Sequence, residues 1–224
     1  EVIVRLESSG GMVHAYGLAA AQLARIKEAG LHLTVCIDKV AASGGYMMAC
    51  VADKILAAPF AVVGSIGVVA QVPNFHDLLE KHDIDVEVFT AGKYKRTVTV
   101  FGENTEEDKQ KFQQELEETH KLFKDFVRKY RPSLDVEQVA TGEHWYGEDA
   151  ITRNLVDALQ TSDSYILEKM TDSELYAIQS RQKPSIAQKL GISQAAQAVV
   201  ATAIDKLPDT LAKLESAKMP MVKK

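Results

Sequence analysis

Two short runs of small residues hold the side chain best suited to covalent chemistry. One reads Ser8-Ser9-Gly10-Gly11, the other Ala41-Ala42-Ser43-Gly44-Gly45. Each follows a strand-like stretch and precedes a helix-like one. Glycine accepts the backbone angles of a sharp turn and lets a ligand approach. The first N–H groups of a helix lack intrahelical acceptors and can point at negative charge. A pair of such donors forms an oxyanion hole, often among the largest contributions to acyl transfer. Ser43 falls at a strand-to-helix turn, a position that exposes a nucleophilic hydroxyl.

A serine hydroxyl needs a base to take its proton. None of the six histidines lies in a corresponding loop. The segment Ala91-Gly92-Lys93-Tyr94-Lys95-Arg96 offers lysine instead. Lys95 is the candidate, although the sequence alone does not separate it from Lys93. A lysine acts as base near neutral pH only if its pKa falls from about 10.4 to near 7, which costs ~4 kcal/mol. Burial among apolar groups supplies such a change because it disfavours the charged form. Ser65, between Gly64 and Ile66 in an apolar stretch, is placed to orient the amine.

These residues need a scaffold, and the hydrophobic pattern outlines one. Residues 2–6, 31–37, 54–58 and 86–90 read as strands. A helix with Leu18, Gln22, Ile26 and intervening alanines ends at Gly30, and residues 46–52 and 75–82 also read as helices. The clearest helix opens at Thr105, with Asp108 forming a partial capping box. Its apolar face is Phe112, Leu116, Phe123, Phe126 and Tyr130, and it stops before Pro132. Short helices at 135–140 and 147–154 flank Trp145 and Tyr146, and 165–170 is helical. Strands alternating with helices predict an α/β core with parallel pairing. Residues 180–184 are polar and form a candidate boundary. An alanine-rich amphipathic helix is expected at 193–207.

The chain has 224 residues, a net charge of -5 and 46% hydrophobic residues. That composition is ordinary for a globular protein, and its charge argues against a general nucleic-acid binder. No apolar run approaches the ~18 residues that span a bilayer. The chain opens on Glu1 directly in a strand-like run and is read as a fragment whose upstream part is missing. Cys36 and Cys50 lack zinc or redox spacing and are expected as buried thiols. No metal-ligand spacing is present, and no cofactor is expected.

Several motifs occur together in one order. They are Arg5-Leu6-Glu7-Ser8-Ser9-Gly10-Gly11, Ala41-Ala42-Ser43-Gly44-Gly45-Tyr46, Val63-Gly64-Ser65-Ile66-Gly67-Val68 and Gly92-Lys93-Tyr94-Lys95. Ala52-Asp53-Lys54-Ile55, Glu143-His144-Trp145-Tyr146-Gly147 and Leu155-Val156-Asp157 extend the pattern. Over residues 1–170 the chain resembles the signal peptide peptidase A family, most closely its SohB branch. The resemblance implies a ClpP/crotonase-like α/β fold of repeated ββα units. It assigns Ser43 as nucleophile, Lys95 as general base, Ser65 as the hydroxyl that positions the lysine, and Gly11 and Gly44 as oxyanion-hole donors. It further implies peptide or unfolded-protein substrates, including signal-peptide remnants. It points to a ring-like homo-oligomer, and to the bacterial inner membrane with the protease facing the periplasm and the anchor in the missing N-terminal region. The domains expected are a protease domain at 1–170 and a mostly helical C-terminal extension at 171–224.

One position departs from the family pattern: Ser9 stands where proline is usual. Proline would fix the backbone angle entering the turn, whereas the Gly11 N–H is unaffected by its loss. Two other readings share the fold: an acyl-CoA enzyme of the crotonase type, which relies on glutamates, and a non-catalytic scaffold. An extended peptide is expected to pair with strand 2–6 and with the chain at 68–71 by strand addition.

Overall fold

The computed structural model describes residues 1–178. The chain divides into two units, Glu1–Glu174 and Leu175–Lys224, and the architecture below is that of the first. The sequence features at 180–184 and 193–207 lie outside the described residues.

In chain order the elements are β1 Val2–Arg5, α1 Val13–Glu28, β2 Leu33–Ile37, β3 Val40–Ala42, α2 Gly44–Ala49, β4 Lys54–Ala57, β5 Val62–Gly64, α3 His76–Glu80, α4 Glu106–Tyr130, α5 Val136–Val139, β6 His144–Tyr146, α6 Gly147–Thr152, β7 Ala158–Leu159 and α7 Ser162–Lys169. The strands form two sheets. One has the order β1-β2-β4-β7 and the other β3-β5-β6. All pairs are parallel except β5 with β6. From β2 to β5 successive strands therefore alternate between the sheets: β2 and β4 join the first, β3 and β5 the second, and a helix follows each pair. This is the ββα repeat of a ClpP/crotonase-like α/β fold.

Burial explains why β2 was legible in the sequence. All five residues of β2, Leu-Thr-Val-Cys-Ile, are buried, as expected of a parallel strand covered on both faces. The strands β3, β5 and β6 are only three residues long and carry no periodic signal of their own. The stretch at 86–90 is not a strand. Val86, Val88 and Phe89 are exposed there, and β-branched residues favour a strand only where a sheet is available to pair and pack against them.

On α1 the face turned inward differs from the expected one. Ala20 and Ala24 are buried, whereas Leu18 is 64% exposed. Small residues on that face let α1 come close to α2. The helix α4 begins with a full capping box between Thr105 and Asp108, and its Phe123 and Val127 reach the core.

A polar network ties the C-terminal part of this unit to α2 and β4. The Tyr46 hydroxyl, fully buried, donates to the Leu155 carbonyl at 2.9 Å. Two residues on, the Asp157 carboxylate accepts from the Ile55 N–H at 2.7 Å and from the Arg131 guanidinium at 2.7 and 3.0 Å. Arg131 is 8% exposed. Truncating one partner of such a pair strands the other charge in a poorly solvated place. Arg131→Ala is expected to lower stability by about 2–3 kcal/mol in urea denaturation, the partial exposure of Asp157 keeping the loss below that of a fully buried pair.

Candidate active site

The parallel pair β3–β5 sets the level at which two serines emerge. Its register matches Val40 with Val62, Ala41 with Val63 and Ala42 with Gly64, so Ser43 and Ser65 are the next residues on adjacent strands. Both leave the strand with positive φ, 53° for Ser43 and 51° for Ser65. Such angles are uncommon for a side-chain-bearing residue and cost about 1–3 kcal/mol where sterically poor. The surroundings hold them. The Ser43 N–H donates to the Gly64 carbonyl at 2.8 Å, and the Ser65 N–H to the Glu143 carbonyl at 2.6 Å. Ser43 is also the N-cap residue of α2, with ψ of -120°, and its carbonyl accepts from the Met47 N–H at 3.0 Å. Both serines are half-buried.

The first glycine turn is stitched to the second. The Ser8 N–H donates to the Val40 carbonyl, and the Ala42 N–H returns to the Ser8 carbonyl, at 2.9 and 3.0 Å. Gly10 has φ of 93°, and a Cβ there would stand 2.7–2.8 Å from the Gly44 nitrogen, the Ala42 carbonyl oxygen and the Ser43 Cβ. A Cβ on Gly44 would overlap the Tyr16 side chain. The N–H groups of Gly11 and Gly44 have no acceptor among the described residues. Two free donors thus lie in the turns that flank Ser43, an arrangement able to receive an oxyanion.

Among the described residues, neither lysine is joined to this cluster by a hydrogen bond or ion pair. Lys95 is in an exposed turn, where its N–H donates to the Gly92 carbonyl at 3.1 Å. Its amine has no hydrogen-bond or ion-pair partner among the described residues, and no such bond joins it to Ser43 or Ser65. Lys93 is engaged: its amine lies 2.8 Å from Glu107. The hydrogen bond that the Lys93 amine donates to Glu107, with help from Tyr94, holds the Lys93 proton and raises its pKa. A cavity of about 240 Å³ sits beside Arg96 and Thr97 and touches neither serine.

Burial pushes the Cys36 thiol up to about 11 and the Cys50 thiol to about 12. Among the described residues, His76, Asp77 and Glu80 could bring one ligand atom each within 4.8 Å of one another. Asp77 and Glu80 are exposed, and all three lie on or beside the short α3.

The sequence reading did not find Tyr16 or Trp145 as parts of the site. The Tyr16 ring packs against both Gly11 and Gly44, and Trp145 packs against Gly64. The spacing of Tyr16, Ala20 and Ala24 at every fourth residue of α1 was the available signal for Tyr16.

The two-sheet ββα arrangement, with a strained serine at a strand-to-helix turn, defines an α/β protein of the ClpP/crotonase-like fold. The chain matches peptidase family S49 over residues 25–176 and the N-terminal part of that family over residues 1–23. It belongs to peptidase family S49. A protein of Haemophilus influenzae called "Probable protease SohB" is 65% identical over 191 residues, covering 85% of this chain and 54% of that one. A protein of the same description from Buchnera aphidicola subsp. Acyrthosiphon pisum is 59% identical over 179 residues, covering 80% and 53%. The chain thus spans about half the length of these relatives. Among solved structures, a mutant of the 1510-N membrane-bound stomatin-specific protease aligns with a TM-score of 0.44 at 12% identity, covering 75% of this chain and 67% of that one.

Two outcomes follow from this geometry. Gly10→Ala is expected to destabilise the fold by about 2–3 kcal/mol in urea denaturation, from positive φ and the lack of space together. Cys36 and Cys50 are expected to resist iodoacetamide at pH 8 in the native protein and to react in urea, because the thiolate is the reactive form.

Proposed function

We propose that the chain is the catalytic part of a serine peptidase with a serine–lysine pair. The observation that carries the proposal is Ser43, held at positive φ on a strand-to-helix turn beside the free N–H groups of Gly11 and Gly44. In this reading the Ser43 hydroxyl gives its proton to neutral Lys95 and attacks the scissile carbonyl. The Gly11 and Gly44 N–H groups hold the oxyanion. Lys95 then protonates the leaving amine, and water releases the acyl group from Ser43. Ser65 orients the Lys95 amine. The protease names of the curated relatives support the same activity.

Lys95 is preferred to Lys93 because Glu107 occupies the Lys93 amine. Lys95 is exposed, so the dry pocket that a neutral amine requires has to form around it. In our reading a ring-like homo-oligomer supplies that pocket and brings amine and hydroxyl together. The ring would also keep folded proteins away from the nucleophiles.

Extended peptides are the substrates this site suits: signal-peptide remnants and unfolded chains. The outer edge of β1, at the end of its sheet, and the chain at 68–71, where Val69 is 90% exposed, would pair with such a peptide by strand addition. We place the protein at the bacterial inner membrane, with this domain on the periplasmic side and the anchor outside this segment. Among the described residues no helix is long and apolar enough to cross a membrane.

The decisive measurement is a pH–rate profile on an unstructured peptide. Wild-type activity is expected to rise through about pH 7–8 as the base loses its proton. Lys95→Ala should lose that rise and at least about a hundredfold in kcat, and Ser43→Ala should be inactive with its fold intact. A serine-directed phosphonate that labels wild type but not Ser43→Ala separates this mechanism from acyl-CoA chemistry. Unchanged peptide cleavage by Lys95→Ala would sink the serine–lysine assignment.

A further inference from the structure

We infer that Tyr16 is a positioning residue of the oxyanion hole, setting the separation of its two donors. The inference rests on the peptidase reading above and adds a residue to it. Tyr16 is the side chain that meets both glycines proposed as donors. A Cβ on Gly11 would lie 2.8 Å from the Tyr16 Cε2, and a Cβ on Gly44 would overlap the Tyr16 Cβ and Cγ. The Tyr16 side chain therefore lies against both turns, beside the contact that Gly10 makes with Gly44.

The Tyr16 hydroxyl adds a second tie. It lies 2.8 Å from the Ser8 Oγ, in a hydrogen bond that either group can donate. The Ser8 Oγ also accepts from the Gly10 N–H at 3.3 Å. Gly10 immediately precedes the peptide whose N–H belongs to Gly11. A continuous path thus runs from the α1 side chain, through two hydroxyls, to the backbone that aims one donor. The ring meanwhile braces the residue that carries the other.

This path sits where the chain lacks a proline. Proline at position 9 would fix the backbone angle on entry to the turn. Ser9 is exposed, makes no side-chain hydrogen bond among the described residues, and is followed by Gly10 and Gly11. Two glycines have wide backbone freedom, so the turn needs an external restraint. The Tyr16–Ser8 pair provides it. Placement matters because donors stabilise an oxyanion only from about 2.7–3.1 Å.

The mechanism has a distinctive kinetic form. Oxyanion donors act on the transition state, so a misplaced donor lowers kcat while leaving substrate affinity nearly intact. The test uses the full-length protein and four variants: Tyr16→Phe, Tyr16→Leu, Ser8→Ala and the Tyr16→Phe/Ser8→Ala double. Measured are kcat and KM on an unstructured peptide, the rate at which a peptidyl phosphonate labels Ser43, and thermal stability. Tyr16→Phe and Ser8→Ala are each expected to lower kcat and the labelling rate about 5–10-fold with KM within about twofold. The double variant should be no worse than either single one, because both break the same path. Tyr16→Leu, which loses the brace as well, should cost about a hundredfold.

Reduced melting temperature with unchanged kcat and labelling would make Tyr16 a packing residue and overturn the inference. A raised KM at unchanged kcat would make it a substrate contact and overturn it as well. Multiplying effects in the double variant would refute the shared path. A wild-type protein whose Ser43 is never labelled defeats the peptidase reading and this inference together, a result distinct from those three.

Discussion

Gly10 turns its Cα toward the Gly44 amide and the Ser43 Cβ, so closely that a single added methyl group would stand 2.7–2.8 Å from each. The two turns therefore meet backbone to backbone. The Ser8 N–H and carbonyl clamp them from behind through Val40 and Ala42. Everything at the serine follows from this approach. It fixes the level of Ser43 and leaves two N–H groups in adjacent turns without acceptors among the described residues. It also requires residues without side chains at the contact. Free donors held in place by a rigid frame need no reorganisation when charge develops, which is the physical basis of their effect on a transition state.

The frame beneath α2 is correspondingly stiff. Tyr46 is anchored to the Leu155 carbonyl, and Asp157 joins the Arg131 guanidinium to the Ile55 N–H of β4. These bonds link segments separated by 109 and 102 residues in sequence. A residue kept at positive φ needs such over-determination, because the backbone would otherwise relax. The cost of the strained serine is thus carried by packing and hydrogen bonds some distance from it, and a site mounted on rigid elements holds its geometry more closely than one on loops.

The segment at 67–104 has the opposite character. Only Thr97 and Gly102 are buried within it, and Val69, Phe89 and Tyr94 are among its exposed apolar residues. It carries Lys95, the proposed base, while Ser43 belongs to the stiff core. The two halves of the proposed chemistry therefore sit on parts of the molecule with different local stability, and few buried contacts are the mark of the less stable part. In our reading, joining those halves is the task of assembly. The chain belongs to peptidase family S49 and spans about half the length of the curated relatives it matches.

Residue types alone determined a good deal here. The buried parallel strand β2 announced itself through its β-branched residues, and β4 as a short, largely apolar stretch ending at Pro59, since a strand covered on both faces needs no polar side. The Thr105–Asp108 cap and Pro132 bracketed α4, because capping and proline act within a few residues. Ser43, Ser65 and the glycines were legible as turn residues through their short-range motifs. Other features were decided by tertiary structure. The three-residue strands β3, β5 and β6 exist only because each has a neighbour to pair with. The apolar stretch at 86–90 is not a strand because it has none. The alanine face of α1, with Tyr16 above it, was hidden behind the more conspicuous but exposed Leu18. That two serines 22 residues apart emerge side by side, each at positive φ, depends on the register of two strands. Register is a long-range property: it is set by which backbone groups find partners across the sheet, and no single stretch of sequence contains both sides of that choice.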